Sequence, residues 1–129
     1  MDQTSLNRLA RGIKLHELPR SRKLLSAPLR MGRSILLRKV CDWRSKPLHT
    51  SARTFWGDKM QLIYPDGVSI GIFQFGFFEA GLTAMFLERV RPGMTVFDVG
   101  AHFGYFTLLS SRLVGQGGKV HSFEPTPTT

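Results

Sequence analysis

The residues in this sequence best suited to chemistry are two carboxylates and two glycines near its C-terminal end: Asp98, Gly100, Gly104 and Glu124. Each carboxylate belongs to a short run of β-branched and aromatic residues, Thr95-Val96-Phe97-Asp98-Val99 and Lys119-Val120-His121-Ser122-Phe123-Glu124. Glycines at 100 and 104 let the backbone turn sharply and approach a ligand, and a following helix offers N–H groups that lack intrahelical acceptors. A carboxylate at the end of the second run can accept both hydroxyls of a ribose. Alone, Asp98 has the ordinary explanation of a turn cap and Glu124 that of a solvated strand end. Together, at the carboxyl ends of neighbouring strands where open α/β sheets bind ligands, they point to an adenosine-type cofactor.

Glycine spacing separates the cofactor classes that share this plan. A dinucleotide fingerprint requires Gly-x-Gly-x-x-Gly, whose second glycine lets a pyrophosphate reach the helix N-terminus. Here position 102 is His and position 105 is Tyr, both bulky enough to obstruct a diphosphate. S-adenosylmethionine carries no phosphate, so one glycine before the turn and one after it suffice. The spacing favours a methyl donor and leaves an NAD(P)-dependent Rossmann oxidoreductase as the enzymatic alternative.

The elements that must position these residues are legible on both sides of the loop. Thr95–Val99 suits a strand covered on both faces, as in a parallel sheet. Tyr105–Val114 places Tyr105, Leu109 and Leu113 on one stripe, a helix closed by Gly115. Gly117-Gly118 makes the return turn into a second strand, Lys119–Phe123. The 29 residues from Thr95 to Phe123 are close to the roughly 30 of a βαβ unit, so the two strands are expected to lie parallel. Upstream, Leu82, Met85, Phe86, Leu87 and Val90 mark an amphipathic helix over residues 79–91. Before it, Lys59–Tyr64 and Val68–Phe73 around Pro65-Asp66-Gly67 predict a β-hairpin.

From about Pro65 onward the sequence resembles the FkbM-type methyltransferases, within the larger class of Rossmann-like S-adenosylmethionine enzymes. The resemblance is carried by Phe78-Glu79 with Thr83, Arg91-Pro92-Gly93-Met94, Phe97 through Thr107, and Gly118 through Pro125. It implies an α/β fold, the first βαβ unit of a Rossmann-like class I methyltransferase. It further implies that Asp98, Gly100, Ala101, His102 and Gly104 form the methionine-side loop, that Glu124 binds the ribose, and that Glu79 and Thr83 belong to a segment closing over the cofactor. Position 102 is usually Asn in the family; His, like Asn, tolerates left-handed backbone conformations. The methyl acceptor implied is a hydroxyl of a sugar, lipid or secondary metabolite. No residue in the sequence is a credible base for deprotonating it, and the later strands of such a domain are not present. The 129 residues are therefore expected to be an N-terminal, inactive portion of a longer chain, because two parallel strands leave unpaired edges.

Charge divides the sequence differently. The formal charge is +9, but residues 1–56 hold 13 Lys/Arg against 3 Asp/Glu, a net +10, and the remainder is close to neutral. Residues 1–53 mix Leu and Arg at loosely helical spacing, cut by Pro19, Pro28 and Pro47, and predict two or three short amphipathic helices ahead of a methyltransferase segment at 54–129. The simplest expectation is a solvated basic extension. A non-enzymatic alternative makes it a lipid- or nucleic-acid-binding segment. Nucleic acid is not expected, since no aromatic residue interleaves the arginines before Trp43, whereas weak contact with an anionic membrane stays open. A targeting peptide is disfavoured by Asp2 and Glu17. A single cysteine, Cys41, excludes an internal disulfide and a Cys-x-x-Cys motif, and His16, His49 and His121 lack metal-ligand spacing. With no apolar run near the roughly 18 residues of a spanning helix and no secretory signal, a cytoplasmic location is the expectation.

Overall fold

The structure, a computed structural model, describes residues 1–126. They form two compact units, Met1–Phe78 and the residues from Glu79 onward.

The first unit contains α1 (Gln3–Glu17), α2 (Arg20–Ser26), α3 (Pro28–Arg44), β1 (Leu48–Arg53), β2 (Lys59–Tyr64) and α4 (Gly67–Phe75). Asp2 caps α1 by accepting from the Ser5 N–H at 3.0 Å. Two of the prolines read as breaks sit at helix starts instead, Pro19 capping α2 and Pro28 in the first turn of α3, where no N–H is missed. The N-terminal helices are thus three, and α1 and α3 are longer than expected. Strands β1 and β2 pair antiparallel from Leu48↔Tyr64 to Arg53↔Lys59. This hairpin spans the change of composition after residue 53, whereas the division between units falls after Phe78.

The expected strand over Val68–Phe73 is a helix. Asp66 starts it, its Oδ1 accepting from the N–H groups of Val68 (2.8 Å) and Ser69 (3.2 Å), and Gly76 ends it in the left-handed region at φ 82°. Pro65-Asp66-Gly67 is therefore a helix start rather than a hairpin turn, and the partner of β2 comes from upstream. Phe55, Leu62, Tyr64 and Ile72 are nearly inaccessible at the centre of this unit. Each such apolar side chain contributes about 1.5–3 kcal/mol. The Tyr64 hydroxyl meets Ser34 Oγ, and burial pushes the Tyr64 pKa up.

The second unit contains α5 (Ala80–Arg89), β3 (Thr95–Val99), α6 (Tyr105–Val114) and β4 (Lys119–Phe123). The β3, α6 and β4 boundaries match those legible in the sequence, and β3 and β4 pair parallel, Thr95↔Lys119 through Val99↔Phe123. Gly118 is required where the chain turns back: a Cβ there would lie 2.3 Å from Val114 Cβ and 2.7 Å from Met94 O. On one face Val96, Asp98, Val120 and Ser122 lie toward α6, whose Tyr105, Leu109 and Val114 are buried. The opposite face differs from the expectation of cover on both sides. Among the described residues it stays open, with Phe97 64% and Val99 80% exposed and Phe97 stacked on His121 at 5.0 Å. No single helix among the described residues is long and apolar enough to cross a membrane.

Candidate functional site

At the carboxyl end of the β3–β4 pair the backbone makes three excursions into positive φ within five residues: Gly100 at 82°, His102 at 51° and Gly104 at 79°. The loop is tied to the end of β4 and to itself. The N–H groups of Gly100 and Ala101 donate to Phe123 O at 2.8 and 3.1 Å, and the Gly104 N–H donates to Ala101 O at 2.7 Å. Gly100 faces open space, since a Cβ there would meet nothing within 4 Å. Gly104 then stands at the N-cap position of α6 without a side-chain cap, which leaves first-turn N–H groups available.

Glu124, the residue after β4, reaches back across this loop. Its Oε2 accepts from the His102 N–H at 2.7 Å and its Oε1 from the Thr126 N–H at 2.9 Å. Those hydrogen bonds, Thr126 first and then His102, hold its pKa below the ordinary 4.5, so it is ionised at neutral pH. An ionised carboxylate accepts only, and the Thr126 side chain adds a third hydrogen bond to the two from backbone N–H groups. Asp98 lies on the opposite side of β3 from Phe97 and Val99. Its Oδ2 accepts from the Thr107 hydroxyl at 2.5 Å, and that hydroxyl sits 3.1 Å from Ser122 Oγ. Asp98 thereby fastens the first turn of α6 to the strand that precedes it.

Of the residues singled out from the sequence, Asp98, Gly100, Ala101, His102, Gly104 and Glu124 gather at this one end of the sheet. Glu79 and Thr83 are on α5 of the same unit. Thr83 is wholly buried and its hydroxyl lies 3.1 Å from that of Tyr105, so α5 is fastened to the start of α6. Glu79 is exposed and caps α5 at φ 45°, a left-handed conformation that costs a non-glycine residue about 1–3 kcal/mol. Tyr105 calls for a correction. Its ring is buried, so it does not project from the loop, and the argument against a diphosphate rests on position 102. Exposed His102 does stand there, its ring edge-on to Phe103 with centroids 4.0 Å apart. The sequence assigns no role of their own to Thr107 and Ser122; the place of Thr107 in the first turn after Gly104 is what brings it to Asp98.

A stretch of 39 residues is 51% identical to 31-O-demethyl-FK506 methyltransferase FkbM of Streptomyces tacrolimicus. It covers 30% of this chain and 15% of the length of that enzyme. The chain matches no protein-family model, and no solved structure matches it.

Proposed function

We propose that the residues from Glu79 onward open an S-adenosylmethionine-dependent methyltransferase domain, with the Gly100–Gly104 loop holding the methionine end of the cofactor and Glu124 its ribose. The observation that carries this reading is the Glu124 carboxylate, fixed by two backbone N–H groups over a glycine-flanked loop at the ends of two parallel strands. The partial likeness to a methyltransferase supports it. The residues present fit the cofactor. Gly100 offers an unobstructed backbone, Glu124 is in the ionisation state that only accepts, and no phosphate subsite is needed where His102 stands.

When bound, S-adenosylmethionine supplies a methyl group on a sulfonium sulfur, open to in-line displacement by a nucleophile held opposite. The chain's own part is positional. Gly100, Ala101 and Gly104 set the loop, Asp98 anchors α6 behind it through Thr107, and Thr83 locks α5 to α6 through Tyr105. None of these groups is placed to take a proton from an acceptor. We assign the acceptor as a hydroxyl of a sugar, lipid or secondary metabolite. Comparing thermal shifts with S-adenosylhomocysteine and with NADH separates the reading from the nicotinamide alternative. Stabilisation by the former alone is expected, and stabilisation by NADH alone would reverse the assignment.

A second reading, for the basic helices, is favoured by α3. Leu29, Leu36 and Trp43 recur every seven residues, a drift of only about 20° per step around the helix, and they are 83%, 61% and 84% exposed. Met31, Ser34 and Cys41 occupy the opposite, buried face. An outward apolar stripe flanked by Arg33, Lys39 and Arg44 has the chemistry of a helix lying on an anionic lipid surface. Because Trp56 is buried, a blue shift of tryptophan emission on adding phosphatidylglycerol vesicles would report Trp43 entering lipid. An unchanged spectrum would remove this reading.

A further inference from the structure

The first unit encloses a half-open cleft of about 690 Å³ between α1, the start of α3 and the segments around Gly57 and Gly76. Its size falls in the range of small-molecule sites, roughly 300–1,000 Å³. Its walls carry five cationic side chains, Arg8, Arg11, Lys14, Arg30 and Arg53, and no Asp or Glu among the described residues lines it. Two of the guanidinium groups converge. Arg53 Nη1 donates to Gly57 O at 3.0 Å, and Arg8 Nη1 lies 3.0 Å from where a Cβ on Gly57 would stand. A third, on Arg30, also lines the cleft and donates to Gln74 O at 3.3 Å.

No ion pair joins any of the five to a carboxylate among the described residues. Asp2 is an acid that senses one of them, Arg8. Its pKa is lowered chiefly by the hydrogen bonds with Ser5 and to a smaller extent by Arg8, and it is committed to capping α1. All five residues are exposed, so solvent screens their mutual repulsion, and an anion seated among them would meet several cations at once. Guanidinium forks match the oxygens of carboxylate and phosphate alike. Five positive charges, however, call for more than the single charge of a carboxylate. Leu15 and Leu18 supply an apolar wall beside them.

We propose that this cleft binds a phosphorylated small molecule bearing at least two negative charges, its phosphate between Arg8, Arg11 and Arg53 and its apolar part against Leu15 and Leu18. The half-open, concave shape suits a discrete ligand better than a nucleic-acid backbone, which needs an extended basic track. The proposal does not depend on the methyltransferase reading, because every residue it uses precedes Glu79.

The test is calorimetric titration of the full chain with sodium pyrophosphate at low ionic strength, beside titrations with acetate and with phosphatidylglycerol vesicles. Amide shifts of Gly12, Gly57 and Gly76 locate the site. Saturable pyrophosphate binding is expected, at least tenfold tighter than acetate. It should weaken at least tenfold in Arg8→Gln/Arg11→Gln and less than twofold in Arg22→Gln/Arg44→Gln, which removes the same charge outside the cleft. Lys14→Gln, on an exposed turn of α1, provides a second and milder loss. Absence of saturable binding, or equal losses in the two double variants, would overturn the proposal. So would vesicle binding that depends on Arg8 and Arg11 while pyrophosphate leaves the cleft amides unmoved.

Discussion

Replacing Thr107 by Val tests how the loop is held, because it removes one hydroxyl while keeping the shape and branching of the side chain. That hydroxyl donates to Asp98 Oδ2 at 2.5 Å, and Asp98 is half-buried beneath α6. A hydrogen bond to a charged group is worth about 1.5–3 kcal/mol. Partial exposure of Asp98 places this one at the lower end, so about 1.5 kcal/mol is expected from Thr107→Val. Since 1.4 kcal/mol is about tenfold in an equilibrium constant, hydrogen-exchange protection of the β3 and β4 amides should fall by about that factor, with the first unit unaffected. Ser122 Oγ, 3.1 Å from the same hydroxyl, is the group able to compensate, so Ser122→Ala is measured alone and in combination. A double-mutant cycle with Asp98→Ala should return most of the 1.5 kcal/mol as coupling. If Thr107→Val costs less than about 0.5 kcal/mol, or adds to Asp98→Ala without coupling, Asp98 does not anchor α6 and the account of the loop is wrong.

Three other outcomes follow from the same geometry. Gly118→Ala forces a Cβ to within 2.3 Å of Val114 Cβ and should cost about 1–3 kcal/mol, read by chemical denaturation of the second unit; a neutral effect would mean the turn is not as tight as described. Asp66→Ala removes both N-cap hydrogen bonds of α4 and should cost about 1–2 kcal/mol, visible as faster exchange of the Val68 and Ser69 amides. Because the Glu124 pKa is depressed in the folded chain, its contribution is complete above 4.5 and is lost as pH falls through the lower, folded value. The His102 and Thr126 amide resonances should therefore titrate together below pH 4.5, and movement only above 4.5 would contradict the hydrogen bonds assigned to them.

The second half of the chain was legible because local signals there agree. Thr95–Val99 and Lys119–Phe123 have strand composition, Gly115 stops α6, and the distance between the strands suits a helical crossover. The region around Pro65 was not legible in the same way. Val68-Ser69-Ile70-Gly71-Ile72-Phe73 is apolar at nearly every position, so neither period stands out. Pro-Asp-Gly serves a hairpin turn and a helix start equally well, and what decides is Asp66 reaching Val68 and Ser69. β1 is not legible for a related reason. Leu48-His49-Thr50-Ser51-Ala52-Arg53 is polar and weakly patterned, and it becomes a strand by pairing with β2. At the candidate site the glycines and Glu124 announced themselves by type and position. The Thr107 to Asp98 bond and the burial of Tyr105 depend on how α6 turns against the sheet, which spacing alone does not give.

Titration of the isotopically labelled chain with S-adenosylhomocysteine, followed residue by residue by NMR, tests the central claim most directly. The account predicts saturable shifts centred on Gly100, Ala101, His102, Gly104 and Glu124, at least tenfold weaker in Glu124→Gln, with the first unit silent. No shift at these residues at millimolar ligand, or the same shifts produced by NADH in its place, would contradict it.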